Sequence, residues 1–289
     1  IYADANNMGK AIEAQKTLKD VEEFATRIDT AVFEALGNAI KEHLPVQNGL
    51  LPFDILLVGG DDIVMVTAAD KALPVAHTLA KKFEEHSNGA TLSVGVVLAP
   101  VTYPFNLQLK LAEDILKEAK KAGVRSQAHA GDAAREEARI SFVVITGSTS
   151  LSYEKIHTEM NSANKIKKEE FQATLRPYTL DGFGRLLEQL QEGKRRRLGR
   201  SKLHQLREAI LKLNRTTTIL EALALFRNWR KQESDFIKDM VQEFDTHLTP
   251  QERKQRGTLF PWYVQADNEN DIYRTPLLDF IELYDFISA

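Results

Sequence analysis

Leu56-Leu57-Val58-Gly59-Gly60-Asp61-Asp62-Ile63-Val64-Met65-Val66 is the stretch on which the fold of this chain turns. Two short apolar runs, rich in β-branched residues, meet at Gly-Gly-Asp-Asp, the pattern of a β-hairpin with two carboxylates at its tip. Two glycines at the bend supply the positive φ that a tight turn needs. Gly59 also leaves a strand end without a side chain, where a ligand's phosphates can approach. An ordinary polar turn needs only one Gly beside an Asn or Asp, and on the hairpin alone that bland reading stands beside the functional one.

A second acidic site adds weight to the functional reading. Tyr2-Ala3-Asp4-Ala5-Asn6-Asn7-Met8-Gly9 reads as the end of a strand turning into a long helical pattern. If that strand pairs beside the hairpin, an interstrand spacing of about 4.8 Å brings Asp4 close to Asp61. Converging carboxylates need a cation between them, and hard oxygen ligands with room for phosphates favour Mg²⁺ or Mn²⁺. Two such ions, about 3.5–4 Å apart, would activate a ribose hydroxyl and stabilise a leaving pyrophosphate in an in-line displacement.

Working outward, apolar residues from Ile12 through Phe24, Ile28 and Val32 to Ile40 recur at helical spacing, so one long helix or two precede the hairpin. Asp70 is expected to cap a helix from Lys71 to about His86. Ala90 to Leu98 reads as a buried strand, Phe105 to Lys121 as an amphipathic helix ended by Gly123, and Ile140 to Ile145 as a last strand. The order β-α-β-β-α-β-α-β is a ferredoxin-like βαββαβ unit with an added helix and strand. Arg125 to Glu137 is expected to be a mobile loop or loose helical extension, and Phe171 to Thr179 one more extended segment.

Beyond about Pro177 the pattern turns helical, at Leu180–Leu190, Ser201–Leu213, Thr218–Trp229, Asp235–Phe244 and Leu277–Ile287. The expected fold class is therefore α+β, a ferredoxin-like palm over residues 1–176 followed by an all-helical domain over 177–289. The helical part has neither a paired acidic motif nor a glycine-rich phosphate loop, so its expected role is packing or docking. His204 reads as a surface residue, and the stripe Phe226, Trp229 and Phe236 as core.

The chain has 289 residues, 43% of them hydrophobic, enough to bury a core in one large or two modest domains. It contains no cysteine, which excludes disulfides and thiolate metal sites and is compatible with a reducing, cytoplasmic setting. No apolar run approaches the roughly 18–20 residues of a membrane span. A net charge of −3 gives no global attraction to nucleic acid, so any such contact would be local, as at Lys194-Arg195-Arg196-Arg197. Ile1-Tyr2-Ala3 is short for the buried strand that Asp4 ends, and further residues are expected upstream.

Tyr2 to Lys10, Gly59-Gly60-Asp61-Asp62, Ser93-Val94-Gly95-Val96 and Ala119-Lys120 together resemble the second palm domain of the CRISPR polymerase/cyclase family, the large subunits of type III CRISPR effector complexes, particularly the Cmr type. The resemblance extends through Arg176-Pro177-Tyr178-Thr179-Leu180, Arg200-Ser201-Lys202-Leu203, Thr275-Pro276-Leu277-Leu278-Asp279 and Leu283-Tyr284-Asp285. It implies conversion of ATP into cyclic oligoadenylates by 3′–5′ phosphodiester formation, switched on by target RNA within a complex of CRISPR effector subunits and guide RNA.

By the same resemblance Asp4, Asp61 and Asp62 are the catalytic carboxylates and, with the Ala5 carbonyl, the metal ligands. Ala5, Asn6, Asn7, Gly59, Gly60 and Lys120 would line the nucleotide, Lys120 meeting the triphosphate. Lys117, Lys120 and Lys121 also read as the basic end of a helix facing its negative dipole terminus.

Two departures from the family pattern stand out. Asn6 replaces a usual carboxylate with an uncharged amide: facing the metals it would cost a charge, and facing the helix start it would serve as a cap. No HD nuclease motif, zinc-binding cysteines or first palm is present, so a second palm would come from upstream residues, a homodimer or a partner. Two rival readings remain open: a GGDEF-like cyclic dinucleotide synthase, and a catalytically silent ATP-binding scaffold subunit.

Overall fold

The structure, a computed structural model, describes residues 1–130, 137–146, 161–164, 169–245, 260–266 and 271–288. The chain divides into two compact units, one made of Ile1–Ser150 and Arg176–Leu187, the other of Leu151–Leu175 and Glu188–Ala289.

The first unit is built on a six-stranded sheet. In chain order its elements are β1 (Tyr2–Ala5), α1 (Met8–Glu13), α2 (Leu18–His43), β2 (Phe53–Gly59), β3 (Asp62–Thr67), α3 (Ala69–His86), β4 (Leu92–Leu98), α4 (Phe105–Ala130) and β5 (Arg139–Val144). After β6 (Asn161–Asn164) and β7 (Glu169–Gln172), which belong to the second unit, β8 (Tyr178–Thr179) completes the sheet. The strand order is β2-β3-β1-β4-β5-β8. The first four strands have the antiparallel order of a ferredoxin-like βαββαβ unit, with β1 paired antiparallel to both β3 and β4. The added helix and strand follow as α4 and β5, β5 running parallel to β4. The expected α+β palm is thus the observed one.

The helical stretch before the hairpin is two helices, separated where Thr17 starts α2 with a reciprocal cap: its hydroxyl accepts from the Asp20 N–H while the Asp20 carboxylate accepts from the Thr17 N–H. Asp70, expected to cap α3, lies inside its first turn; the N-cap is Ala68, with no side-chain hydrogen bond. The acid therefore sits at the positive end of the helix dipole and pairs with Lys71 at 3.4 Å. Gly123 does not end α4, which continues to Ala130. A Cβ at Gly123 would come within 2.7 Å of the Glu137 carbonyl, so close passage of the returning chain explains this glycine better than helix termination.

Strand alternation sorts the sheet's faces. Ala3, Ile63, Met65, Val94 and Val96 are fully buried. Tyr2 and Asp4 point the other way, abreast of Gly95 and Ser93 of β4. That face is the one α4 covers, because a Cβ on Gly95 would lie 2.5 Å from the Ala112 carbonyl and 2.9 Å from Ile115 Cγ1. The buried row Ala112, Ile115, Leu116 and Ala119 seats the helix there. At the opposite edge, β2 exposes Ile55, Leu56 and Leu57, and its ladder is irregular between Ile55 and Leu57.

Arg176 closes the far side of the sheet by donating to the Phe142 carbonyl at 2.9 Å with its guanidinium over the Phe142 ring. Tyr178 then pairs with Ile140. The Arg-Pro-Tyr block thus has a structural task in this unit.

The second unit carries the expected helices. α5 (Leu180–Arg195) contributes its latter half, followed by α6 (Arg200–Ile210), α7 (Arg215–Phe226), α8 (Lys231–Glu243) and, after β9 (Tyr263–Ala266) and β10 (Asp271–Arg274), α9 (Leu277–Leu283). The helical spacing did not reveal the four-stranded sheet, order β6-β7-β10-β9. These strands are four residues each and partly polar, too short for a period-two pattern to stand out. They cohere through aromatics: Phe171 stacks on Tyr273 at 5.0 Å and meets Trp262 edge-on at 5.5 Å.

Phe226, Trp229 and Phe236 are buried and His204 is exposed, as their spacing implied. The basic run is engaged internally: Arg195 and Arg196 both pair with Glu192, and Lys194 lies over the Tyr284 ring.

The contact between α4 and β4 gives a direct test. Gly95→Ala should destabilise the first unit by about 1–3 kcal/mol, because the clash is with helix backbone that cannot swing aside. Urea denaturation of the two proteins measures it, and equal midpoints would show that α4 does not sit on this strand as described.

Candidate active site

The site grows from three strand ends. β2 and β3 close at Gly59 and Asp62, leaving Gly60 and Asp61 as the turn. Only Gly60 has positive φ, at 65°. Gly59 is ordinary strand, and a Cβ there would meet nothing closer than Leu57 Cδ1 at 3.6 Å. The turn therefore requires one glycine, and the other leaves open space beside the carboxylates. Next in the sheet, β1 pairs Ala3 with Ile63, so Asp4 falls abreast of Asp62.

Asp61 and Asp62 both lie close enough to Asp4 to feel its charge. Burial pushes the Asp61 carboxyl up to about 6, and Asp4 adds to the shift by charge repulsion and a hydrogen bond that a shared proton can make. Asp62 is also raised, by burial first and then by Asp4, against the lowering effects of Lys120 and of the nearby Tyr2 hydroxyl. The sequence reading missed Tyr2; its position two residues before Asp4 on one strand was the available signal.

Lys120 reaches across from α4. Its ammonium donates to Asp4 Oδ2 at 2.5 Å and to the Ala5 carbonyl at 2.8 Å. The helix runs ten residues past it, so the reading of Lys120 as a helix-terminal base does not apply. Its neighbours behave differently. Lys117 pairs with Glu113 and Lys121 with Glu118, each along the helix at 2.6 Å.

Asn6 faces neither the metals nor the start of α1. It is buried, donating from Nδ2 to Thr91 Oγ1 at 2.8 Å and accepting at Oδ1 from Ser93 Oγ at 2.9 Å, while its backbone N–H bonds the Thr91 carbonyl. The amide is a strut that continues the β1–β4 ladder past Ala5. Asn7 takes the left-handed conformation at φ 58° and turns the chain into α1 without a side-chain cap. Asp4, Ala5, Asp61, Asp62 and Lys120 thus come together, Gly59 and Gly60 border them, and Asn6 supports from beneath.

The donor set suits a hard divalent ion: three carboxylates, a carbonyl, and one position where a cation, the Lys120 ammonium, already sits between Asp4 and Ala5. Among the described residues, no three His, Cys, Asp or Glu side chains are already gathered as a cage.

A sheet of this order with acids at the end of β1 and at the hairpin tip has the layout of a palm domain. Residues 1–129 match the family described as Cas10/Cmr2, second palm domain, and the chain carries that domain over these residues. The family is that of the type III CRISPR large subunits, whose palms typically use metal ions and whose members work in effector complexes. The blocks at Arg176, Arg200 and Thr275 lie beyond the match. No curated protein matches the chain. No helix among the described residues is long and apolar enough to cross a membrane.

Two outcomes follow from this geometry. The folded state holds a proton on Asp61 more tightly than the unfolded chain does, from the ordinary value of 3.8 up to about 6. Its contribution to stability is therefore fully present below pH 3.8 and is lost as pH rises through about 6. Asp61→Asn should stabilise the metal-free protein more at pH 7 than at pH 4, as read by thermal melts at both. Asn6→Asp buries a charge and forfeits the donor to Thr91, and should cost about 1–3 kcal/mol in chemical denaturation at pH 7.

Proposed function

We propose that the palm is a metal-dependent nucleotidyltransferase that makes cyclic oligoadenylates from ATP through 3′–5′ phosphodiester bonds in a type III CRISPR complex. The observation carrying this reading is the convergence of Asp4, Asp61 and Asp62 with Lys120 beside a turn that leaves space at Gly59 and Gly60.

Asp4, Asp61, Asp62 and the Ala5 carbonyl are the groups that would hold Mg²⁺ or Mn²⁺. Such ions would activate the attacking ribose hydroxyl and take up charge on the leaving pyrophosphate. The chain's own part is positional. The sheet fixes Asp4 beside the hairpin tip, and the Asn6 strut fixes the peptide that presents the Ala5 carbonyl. The glycines admit phosphates where any side chain would stand in the way. Lys120 supplies an ammonium within reach of phosphate oxygens.

A second reading, a silent ATP-binding scaffold, is favoured by Asn6: the amide standing where the family usually has a carboxylate is committed to Thr91 and Ser93. One experiment separates the two. The protein, alone and assembled with effector subunits, guide and target RNA, is incubated with Mg²⁺ or Mn²⁺ and each nucleoside triphosphate, and products are identified by mass spectrometry.

Cyclic oligoadenylates are expected from ATP, with none from the Asp61→Ala, Asp62→Ala double variant, whose melting temperature should match or slightly exceed the parent's. A variant active at the parent rate would move the active site elsewhere. An assembled parent without product would favour the scaffold.

A further inference from the structure

We infer that the Lys120 ammonium is the resident counter-cation of the carboxylate site, holding the position of a divalent ion and surrendering it when the ion arrives. The inference rests on the reading of Asp4 and the Ala5 carbonyl as metal ligands.

The geometry carries it. Lys120 Nζ bonds the same two oxygens assigned to the ion, Asp4 Oδ2 at 2.5 Å and Ala5 O at 2.8 Å. An ion seated on those oxygens at about 2.0–2.1 Å would overlap the ammonium. The two cations exclude each other on steric and electrostatic grounds alike. The lysine is not placed there by a general basic face, because Lys117 and Lys121 pair with glutamates of their own helix. It is also not sealed in: its side chain keeps 26% of its exposure, leaving a route outward.

Exchange has two consequences. Without the ammonium, three acids on adjoining strand ends would be left to repel one another, so the lysine keeps the metal-free hairpin and β1 in register. Metal uptake and lysine release are one coupled step, and by linkage whatever stabilises the released lysine tightens the ion. A nucleotide's phosphates do that by offering the freed ammonium new acceptors. The site is thereby biased to take up ion and nucleotide together and to resist the ion alone.

The test uses the full chain without nucleotide. Free Mn²⁺ is followed by electron paramagnetic resonance during titration of the parent, Lys120→Met and Asp4→Asn. Lys120→Met should bind Mn²⁺ about tenfold more tightly than the parent, the scale of breaking a partly exposed ion pair and one hydrogen bond. Added ATP should tighten Mn²⁺ binding much more in the parent than in Lys120→Met. Asp4→Asn should lose the site.

Equal or weaker binding by Lys120→Met, with Asp4→Asn still defective, would overturn the counter-cation role and leave the metal site standing. Binding indifferent to Asp4, or absent from every variant, would remove the site and the inference together. A second measurement needs no variant: labelling of lysines in the parent by an amine-reactive reagent, read by peptide mass spectrometry. Mg²⁺ should raise labelling at Lys120 relative to Lys117 and Lys121. An unchanged ratio would overturn the proposal even if Lys120→Met failed to fold.

Discussion

Repulsion among like charges is the constraint around which the first unit is arranged. Asp4, Asp61 and Asp62 sit where β1 and the β2–β3 hairpin end side by side, and such a grouping costs stability unless a bound proton or a positive charge offsets it. The compensation comes from α4, which lies on the face where Asp4 points. The placement of that helix is in turn decided by a missing side chain at Gly95 and by the buried row Ala112, Ile115, Leu116 and Ala119. Strand order, helix seating and the ammonium's position thus belong to one electrostatic problem.

Much of this was legible in the chain. The Gly-Gly-Asp-Asp bend between two apolar runs announced the hairpin, and hydrophobic spacing announced every helix of the palm. What sequence periodicity could not convey was side-chain commitment. Asn6 was an open question because an amide can ligate, cap or brace, and only the register of β1 against β4 shows that Thr91 and Ser93 take both of its ends. Lys120 was ambiguous because a helix end is hard to place when the pattern continues through a glycine. The strands of the second unit escaped notice because four residues hold at most two alternations.

Buried polar groups hold the second unit in the same way that charge organises the first. Asp279 is fully buried and accepts from the Thr174 hydroxyl at 2.7 Å and the Leu175 N–H at 2.8 Å. The acid at the start of α9 therefore fastens that helix to the segment leaving β7. Lys202 and Glu233 form a further pair, bonded at 2.5 Å beneath the Trp229 indole. These contacts give Lys202 of the Arg-Ser-Lys-Leu block and Asp279 of the Thr-Pro-Leu-Leu-Asp block structural work within this unit.

The close seating of α4 on β4 has a kinetic corollary. α4 packs its backbone directly on Gly95, so carrying Lys120 away from Asp4 by a shift of the whole helix would disrupt that packing. The lysine's own four-carbon stem offers the smaller movement. Rotamer changes of partly exposed side chains take roughly picoseconds to nanoseconds, against microseconds or longer for the displacement of a packed helix. Departure of the ammonium is then a local event that leaves the sheet undisturbed, and the pace at which the site changes hands is set by breaking two hydrogen bonds rather than by motion of the fold.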